Sequence, residues 1–124
     1  MKILVFSDPT TGELLERGVL APSGHTAVQT QDLQTARSLI EAESVEMAIV
    51  DCRLAAEGEG GESLQWLCGG FPAMPKILLS PPDTQLGETI SRNNGYVEVL
   101  SLPLRTDQAL DAVARGVRYR QALM

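Results

Sequence analysis

The chain has little histidine, cysteine or aromatic content, and each shortage closes off a class of chemistry. One histidine, His25, and two cysteines, Cys52 and Cys68, stand among 124 residues, with no CxxC pair. A structural zinc site takes about four Cys or His ligands, so none can be built here. The two cysteines read as small apolar thiols in a reducing compartment rather than as a disulfide. Cationic residues are also scarce: ten Lys and Arg against sixteen Asp and Glu give a net charge of −6. That balance disfavours nucleic acid and anionic lipid as partners. Only Arg115, Arg118 and Arg120 gather, and they read as a solvated helix face that also suits the helix dipole. No apolar run approaches the length of a membrane span, and the run from Ile3 to Phe6 is too short for a signal-peptide core. The expectation is one cytoplasmic domain over 1–124, binding neither nucleic acid nor membrane.

What the sequence does have is a set of short, unbroken apolar runs. Lys2 to Phe6, Val45 to Val50, Lys76 to Leu79 and Tyr96 to Leu100 each end on polar or proline-containing steps, and Thr26 to Thr30 is a weaker fifth candidate. Continuous rather than alternating aliphatic runs indicate strands covered on both faces, as in a parallel sheet. Between them lie helical spacings: Leu33/Ala36/Leu39/Ile40, Leu64/Leu67/Cys68/Phe71 and Leu110/Val113/Ala114/Val117. Leu14, Leu15 and Val19 suggest a first helix capped by Thr10, with Glu13 three residues on. Leu86 and Ile90 mark a less apolar helix, weakened by Gly87. Glu57 to Gly61 reads as the most flexible stretch. The pattern is (βα)₅, an α/β fold with a parallel sheet and right-handed crossovers.

In such a sheet, ligands sit beyond the carboxyl ends of the strands. Ser7 and Asp8 follow the first strand, Asp51 the third, Ser80 the fourth, and Leu102-Pro103 the fifth. Two carboxylates converging from neighbouring strands suit a hard cation such as Mg²⁺. Asp51 lies 43 residues after Asp8, Ser80 lies 29 after Asp51, and Gly95 precedes Leu102 by seven. In these spacings, over essentially the whole chain, the sequence resembles the receiver domains of two-component response regulators. The resemblance implies a five-stranded, flavodoxin-like sheet in the order 2-1-3-4-5. It implies Asp51 as phosphoacceptor and Mg²⁺ held by Asp8, Asp51 and the backbone carbonyl of Arg53. Ser80 becomes the hydroxyl that grips a phosphoryl oxygen, and the Leu102-Pro103 bond becomes a candidate cis peptide. The implied partner is a histidine kinase or another signalling protein. A second copy is the other option, docking on the face made by the fourth helix, fifth strand and fifth helix.

Four positions depart from the family. Ser7 replaces the first acid of the pair, and Leu102 replaces the lysine, with Arg53 and Arg105 the nearest cations in sequence. Pro81 stands where a backbone N–H usually meets the phosphoryl group, and proline has none. Val99 replaces the switch aromatic. The expectation is therefore a degenerate receiver in two-component signalling whose phosphorylation is weak or altered. The alternative is a phosphorylation-independent interaction module on the same fold. A remoter alternative is a flavodoxin-type cofactor carrier, since Thr11 and Gly12 match part of a flavin phosphate loop. Independent catalysis is not expected: no GxxxxGK[ST] occurs, Ser80 has no nucleophile elbow, and a lone His25, read as a loop residue, gives no triad. Asp8 can equally cap the first helix ahead of Pro9, and Ser80 can equally be a turn residue. Trp66 reads either as a boundary packer or as part of an interaction patch.

Overall fold

Neighbouring residues of a strand point to opposite faces of a sheet, and the apolar runs of this chain feed two separate cores. The computed structural model describes residues 1–55, 62–82 and 95–123, with the side chains of 55 and 62–65 left aside. Five strands, β1 (Lys2–Phe6), β2 (Thr26–Thr30), β3 (Met47–Asp51), β4 (Lys76–Ser80) and β5 (Val97–Ser101), form one sheet. Their order is β2-β1-β3-β4-β5, all parallel. The helices are α1 (Pro9–Leu15), α2 (Leu33–Glu41), a single turn α3 (Cys52–Ala55), α4 (Glu62–Gly69) and α5 (Thr106–Ala122). A π-helical turn, Glu16–Leu20, continues α1. The helix read around Leu86 and Ile90 and the loop read over Glu57 to Gly61 lie outside the described residues.

On one face Leu4, Phe6, Ala48, Val50 and Leu78 meet Ala36 and Ile40 of α2 and Leu67 and Cys68 of α4. On the other, Ile3, Val5, Met47, Ile49, Ile77 and Leu79 meet Leu15 and Val19 and the Ala109, Ala112 and Val113 side of α5. The central strands β1, β3 and β4 are therefore buried almost throughout, whereas the edge strands β2 and β5 are only partly covered. Both thiols are free and buried. Trp66 is half-buried at the boundary, edge-on to Phe71 at 5.0 Å and beneath the Arg37 guanidinium at 4.6 Å. No helix among the described residues is long and apolar enough to cross a membrane.

Three readings of the sequence need correction. Of the two caps the sequence offers for α1, the structure has Asp8 and not Thr10, and its carboxylate accepts the Thr11 N–H at 3.1 Å. Pro9 explains the shift: it fits the first helical position and biases the preceding residue to extended backbone, and Asp8 has ψ 159°. The buried stripe of α5 is Ala109, Ala112, Val113 and Gly116, while Leu110 is 38% exposed and Ala114 is exposed. Small residues let this helix approach the sheet closely: a Cβ on Gly116 would stand 2.6 Å from the Met47 terminal methyl. The C-terminal arginines are not simply a solvated face. Arg115 pairs with Glu98, and Arg120 donates to the carbonyls of Glu46 and Ala73 at 3.2 and 3.1 Å. Arg118 alone of the three is simply exposed.

The chain enters β5 through Gly95, whose φ is +115°. A Cβ here would lie 2.5 Å from the Pro72 carbonyl oxygen and 2.8 Å from its Cα. Both the dihedral and the space therefore require glycine. Gly95→Ala should lower stability by about 2–3 kcal/mol in urea denaturation. Gly24→Ala is the control, with φ +82° but open space around its Cβ, and should lose only about 1 kcal/mol.

Candidate functional site

Parallel pairing brings the carboxyl ends of the strands to one edge. Phe6 is in register with Val50, Asp51 with Leu79, and Ser80 with Ser101. The loops that leave this edge surround an open cleft of about 790 Å³. Asp8, Thr10, Thr11, Asp51 and Arg53 supply its polar lining, and leucines and prolines, Leu54 and Leu102 among them, its apolar walls. The Leu102-Pro103 bond is cis, and the Leu102 N–H donates to the Ser80 carbonyl at 2.8 Å, tying the ends of β4 and β5 together.

Asp51 ends a strand buried on both faces and is 1% exposed. A carboxylate so placed is costly unless it is paired and hydrogen-bonded. Arg53, two residues on in the first turn of α3, supplies the pairing. Its Nε donates to Asp51 Oδ1 at 3.1 Å and its Nη2 to Oδ2 at 2.7 Å, a bidentate fork. Its backbone N–H adds a third bond to Oδ1 at 2.9 Å. The hydrogen bonds to Asp51 hold the Arg53 guanidinium above its ordinary pKa. The same Nη2 lies 3.9 Å from Asp8 Oδ1, so one cation serves two carboxylates. Burial and the Asp51 charge push the neighbouring Cys52 thiol up to about 12, which keeps it protonated and inert.

Asp8 is occupied in its own right. The Thr11 hydroxyl donates to Oδ1 at 2.7 Å and the Thr11 N–H to Oδ2 at 3.1 Å. These two bonds, the side-chain one foremost, hold the carboxyl below its ordinary 3.8. Thr10, Thr11 and Gly12 thus sit in the first turns of α1 with Thr11 committed to Asp8, which is not the open loop a flavin phosphate needs.

Other residues singled out in the sequence are placed less centrally. Ser7 and Ser80 are buried, and among the described residues neither lines the cleft. Their hydroxyls donate to nearby carbonyls, Ser7 to Asp8 at 3.0 Å and Ser80 to Pro81 at 3.1 Å. Val99 is exposed on β5 beside a separate depression of about 340 Å³ that includes Asp111 and Arg115. Arg105 pairs with Asp107 at 3.3 Å instead of turning into the cleft. The sequence offers Arg53 through its carbonyl and, beside Arg105, as a nearest cation, but does not single out its side chain for the central role. The signal available was proximity: an arginine two residues after a buried acid is close enough to fold back on it.

Mg²⁺ requires oxygen ligands around it. Among the described residues no three His, Cys, Asp or Glu side chains gather to hold a metal ion. As arranged, the shared position between Asp8 and Asp51 belongs to a guanidinium, and the donor set does not fit a divalent ion without rearrangement.

No protein-family model matches the chain, and no curated protein does. Solved structures do match. The signal receiver domain of an HD domain-containing protein from Pseudomonas fluorescens Pf-5 superposes with a TM-score of 0.79 at 22% identity, covering 98% of this chain and 96% of that one. A CheY-like response regulator receiver domain protein from Methanospirillum hungatei JF-1 gives 0.77 at 21%, covering 99% and 98%. NtrX from Brucella abortus, in complex with ADP, gives 0.75 at 20%, and the chain spans 27% of its length. At these identities the likeness establishes the fold: this is the receiver fold of response regulators.

Asp8→Ala should lower stability at neutral pH by about 1 kcal/mol through loss of the α1 cap. Because the folded-state pKa of Asp8 is depressed, its ionised-state contribution is present in full above 3.8 and is lost as pH falls through the folded value. Urea titrations should therefore show the gap between wild type and variant narrowing as pH falls below 3.8 and on through the depressed folded-state value.

Proposed function

We propose that this chain is a two-component signalling domain with Asp51 in the phosphoacceptor position and with phosphorylation that is weak or altered. The carrying observation is the state of Asp51. It is buried at the end of β3, faces the cleft, and is already held by the Arg53 fork. A phosphodonor must displace that fork. The groups around it offer little to a phosphoryl oxygen: Leu102 has no charge, Pro81 has no N–H, and the Ser80 hydroxyl is turned to the Pro81 carbonyl. Phosphoryl transfer relies on positioning and on cations that spread the developing charge, and both are reduced here.

In this reading the output is protein–protein recognition in the cytoplasm, with a histidine kinase, another signalling protein or a second copy as partner. The face around β5 and α5 is the docking candidate. The Arg53 fork also favours a second reading, an interaction module that works without phosphorylation, because the pair neutralises Asp51 unaided.

Incubation with acetyl phosphate and millimolar Mg²⁺, followed by intact-mass measurement, tests the proposal. The expected result is a slow, substoichiometric adduct of one phosphoryl group that disappears in Asp51→Asn. A rapid, stoichiometric adduct would refute weakened phosphorylation, and an adduct that survives Asp51→Asn would refute the acceptor assignment. Complete lack of an adduct would select the phosphorylation-independent module.

A further inference from the structure

The cleft carries a cation that the chain itself provides. We propose that the Arg53 side chain is an intramolecular counter-ion that occupies the place a divalent metal would share between Asp8 and Asp51, so that metal gains the site only when Arg53 swings out.

Four observations support this. Arg53 Nη2 lies 2.7 Å from Asp51 Oδ2 and 3.9 Å from Asp8 Oδ1, which puts positive charge between the two carboxylates. Asp51 is almost fully buried, and among the described residues it receives three hydrogen bonds, all from Arg53. Among the described residues its charge is thus compensated by one residue. Second, both Asp8 oxygens are engaged by Thr11, so a metal would have to compete there as well. Third, position 7 holds a neutral serine whose hydroxyl is bonded to the Asp8 carbonyl. With two carboxylates instead of three, a single guanidinium comes within one charge of neutralising the site. Finally, the Arg53 side chain is 55% exposed although its partner is buried. Water stands ready to receive the guanidinium, so the pair can open without unfolding the domain.

The apolar walls reinforce the arrangement. Leu54, Leu102 and Leu104 keep competing donors away and lower the local dielectric, which strengthens the fork while it is closed. The pair therefore sets the resting state of the cleft, with no metal and no phosphoryl group required.

The test measures Mg²⁺ binding by calorimetry on the full chain and on Arg53→Ala. The variant should bind about tenfold more tightly or better, which corresponds to about 1.4 kcal/mol of competition removed. The gain should vanish in the Arg53→Ala, Asp51→Asn double variant. Equal affinity in wild type and Arg53→Ala would overturn the proposal, as would a gain that persists in the double variant. Arg53→Gln, which keeps bulk and a donor without charge, provides the same comparison if the alanine variant fails to fold. Only the phosphoryl arm of the test rests on the acceptor reading given above. An Arg53→Ala protein that gains Mg²⁺ but forms no Asp51 adduct with acetyl phosphate supports the counter-ion and removes the acceptor reading. Adduct formation on Asp51 without any gain in Mg²⁺ affinity does the reverse.

Discussion

A buried carboxylate at the end of a buried strand must be neutralised by something within hydrogen-bonding reach. Asp51 is that carboxylate, and the arrangement of the carboxyl-end edge follows from how its charge is met. β3 is central in the sheet, with β1 and β4 on either side and helices on both faces. That position makes the strand rigid and dry, and leaves its last side chain little water. The fork from Arg53 supplies a full opposite charge and three hydrogen bonds over a two-residue separation. Asp8 and the apolar walls are arranged around the pair, and the cleft has the electrostatic character the pair gives it.

Most of the fold was legible in the sequence because burial on both faces leaves an unbroken apolar signature. In β3, Ala48 and Val50 serve one core while Met47 and Ile49 serve the other, so no polar residue can alternate in. The edge strand β2 gave a weaker signal for the same reason: much of it is only partly covered. The misreading in α5 has a different origin. Hydrophobicity placed Leu110 inward, but the closeness of the helix to Met47 selects Ala109, Ala112 and Gly116 for the contact. Small residues carry almost no hydrophobic weight, so a periodicity argument undervalues them where backbones approach closely. The cap had two candidates in the sequence, Thr10 by its Ser/Thr-x-x-Glu pattern and Asp8 by its place before Pro9, and the steric rule that proline sets for its predecessor decides for Asp8.

The site was legible in its acids and not in its cation. Asp8 and Asp51 could be located because a parallel sheet fixes where strand ends must gather, and spacing between strands is a property of the chain. The direction in which a long side chain turns is not. Arg53 and Arg105 were equivalent candidates in sequence, yet Arg105 pairs with Asp107 beside it. Arg53 turns back because α3 begins immediately after β3, which brings its first-turn backbone N–H and its side chain to the same Asp51 oxygen. Ser80 illustrates the complementary limit: its position at the end of β4 was legible, but the direction of its hydroxyl was not.

The departures from the receiver pattern form one consistent set when charge is counted. In the pattern that this chain resembles, an acidic pair and the acceptor supply three negative charges, met by a divalent ion and a lysine. Here the first acid is Ser7 and the lysine is Leu102, so one negative and one positive charge are lost together. Arg53 then meets half of what remains from inside the chain, within one charge of balance. A guanidinium differs from a hydrated metal ion in a way that matters for function. It is covalently tethered, its local concentration does not depend on the cell, and its planar fork fits one carboxylate closely. On the proposal made above, a tethered cation in place of a diffusible one would separate the stability of the fold from the chemistry of its cleft. In the function proposed above, the surfaces around β5 and α5 would serve recognition with the cleft closed, and a phosphoryl group bound for Asp51 would first have to displace Arg53.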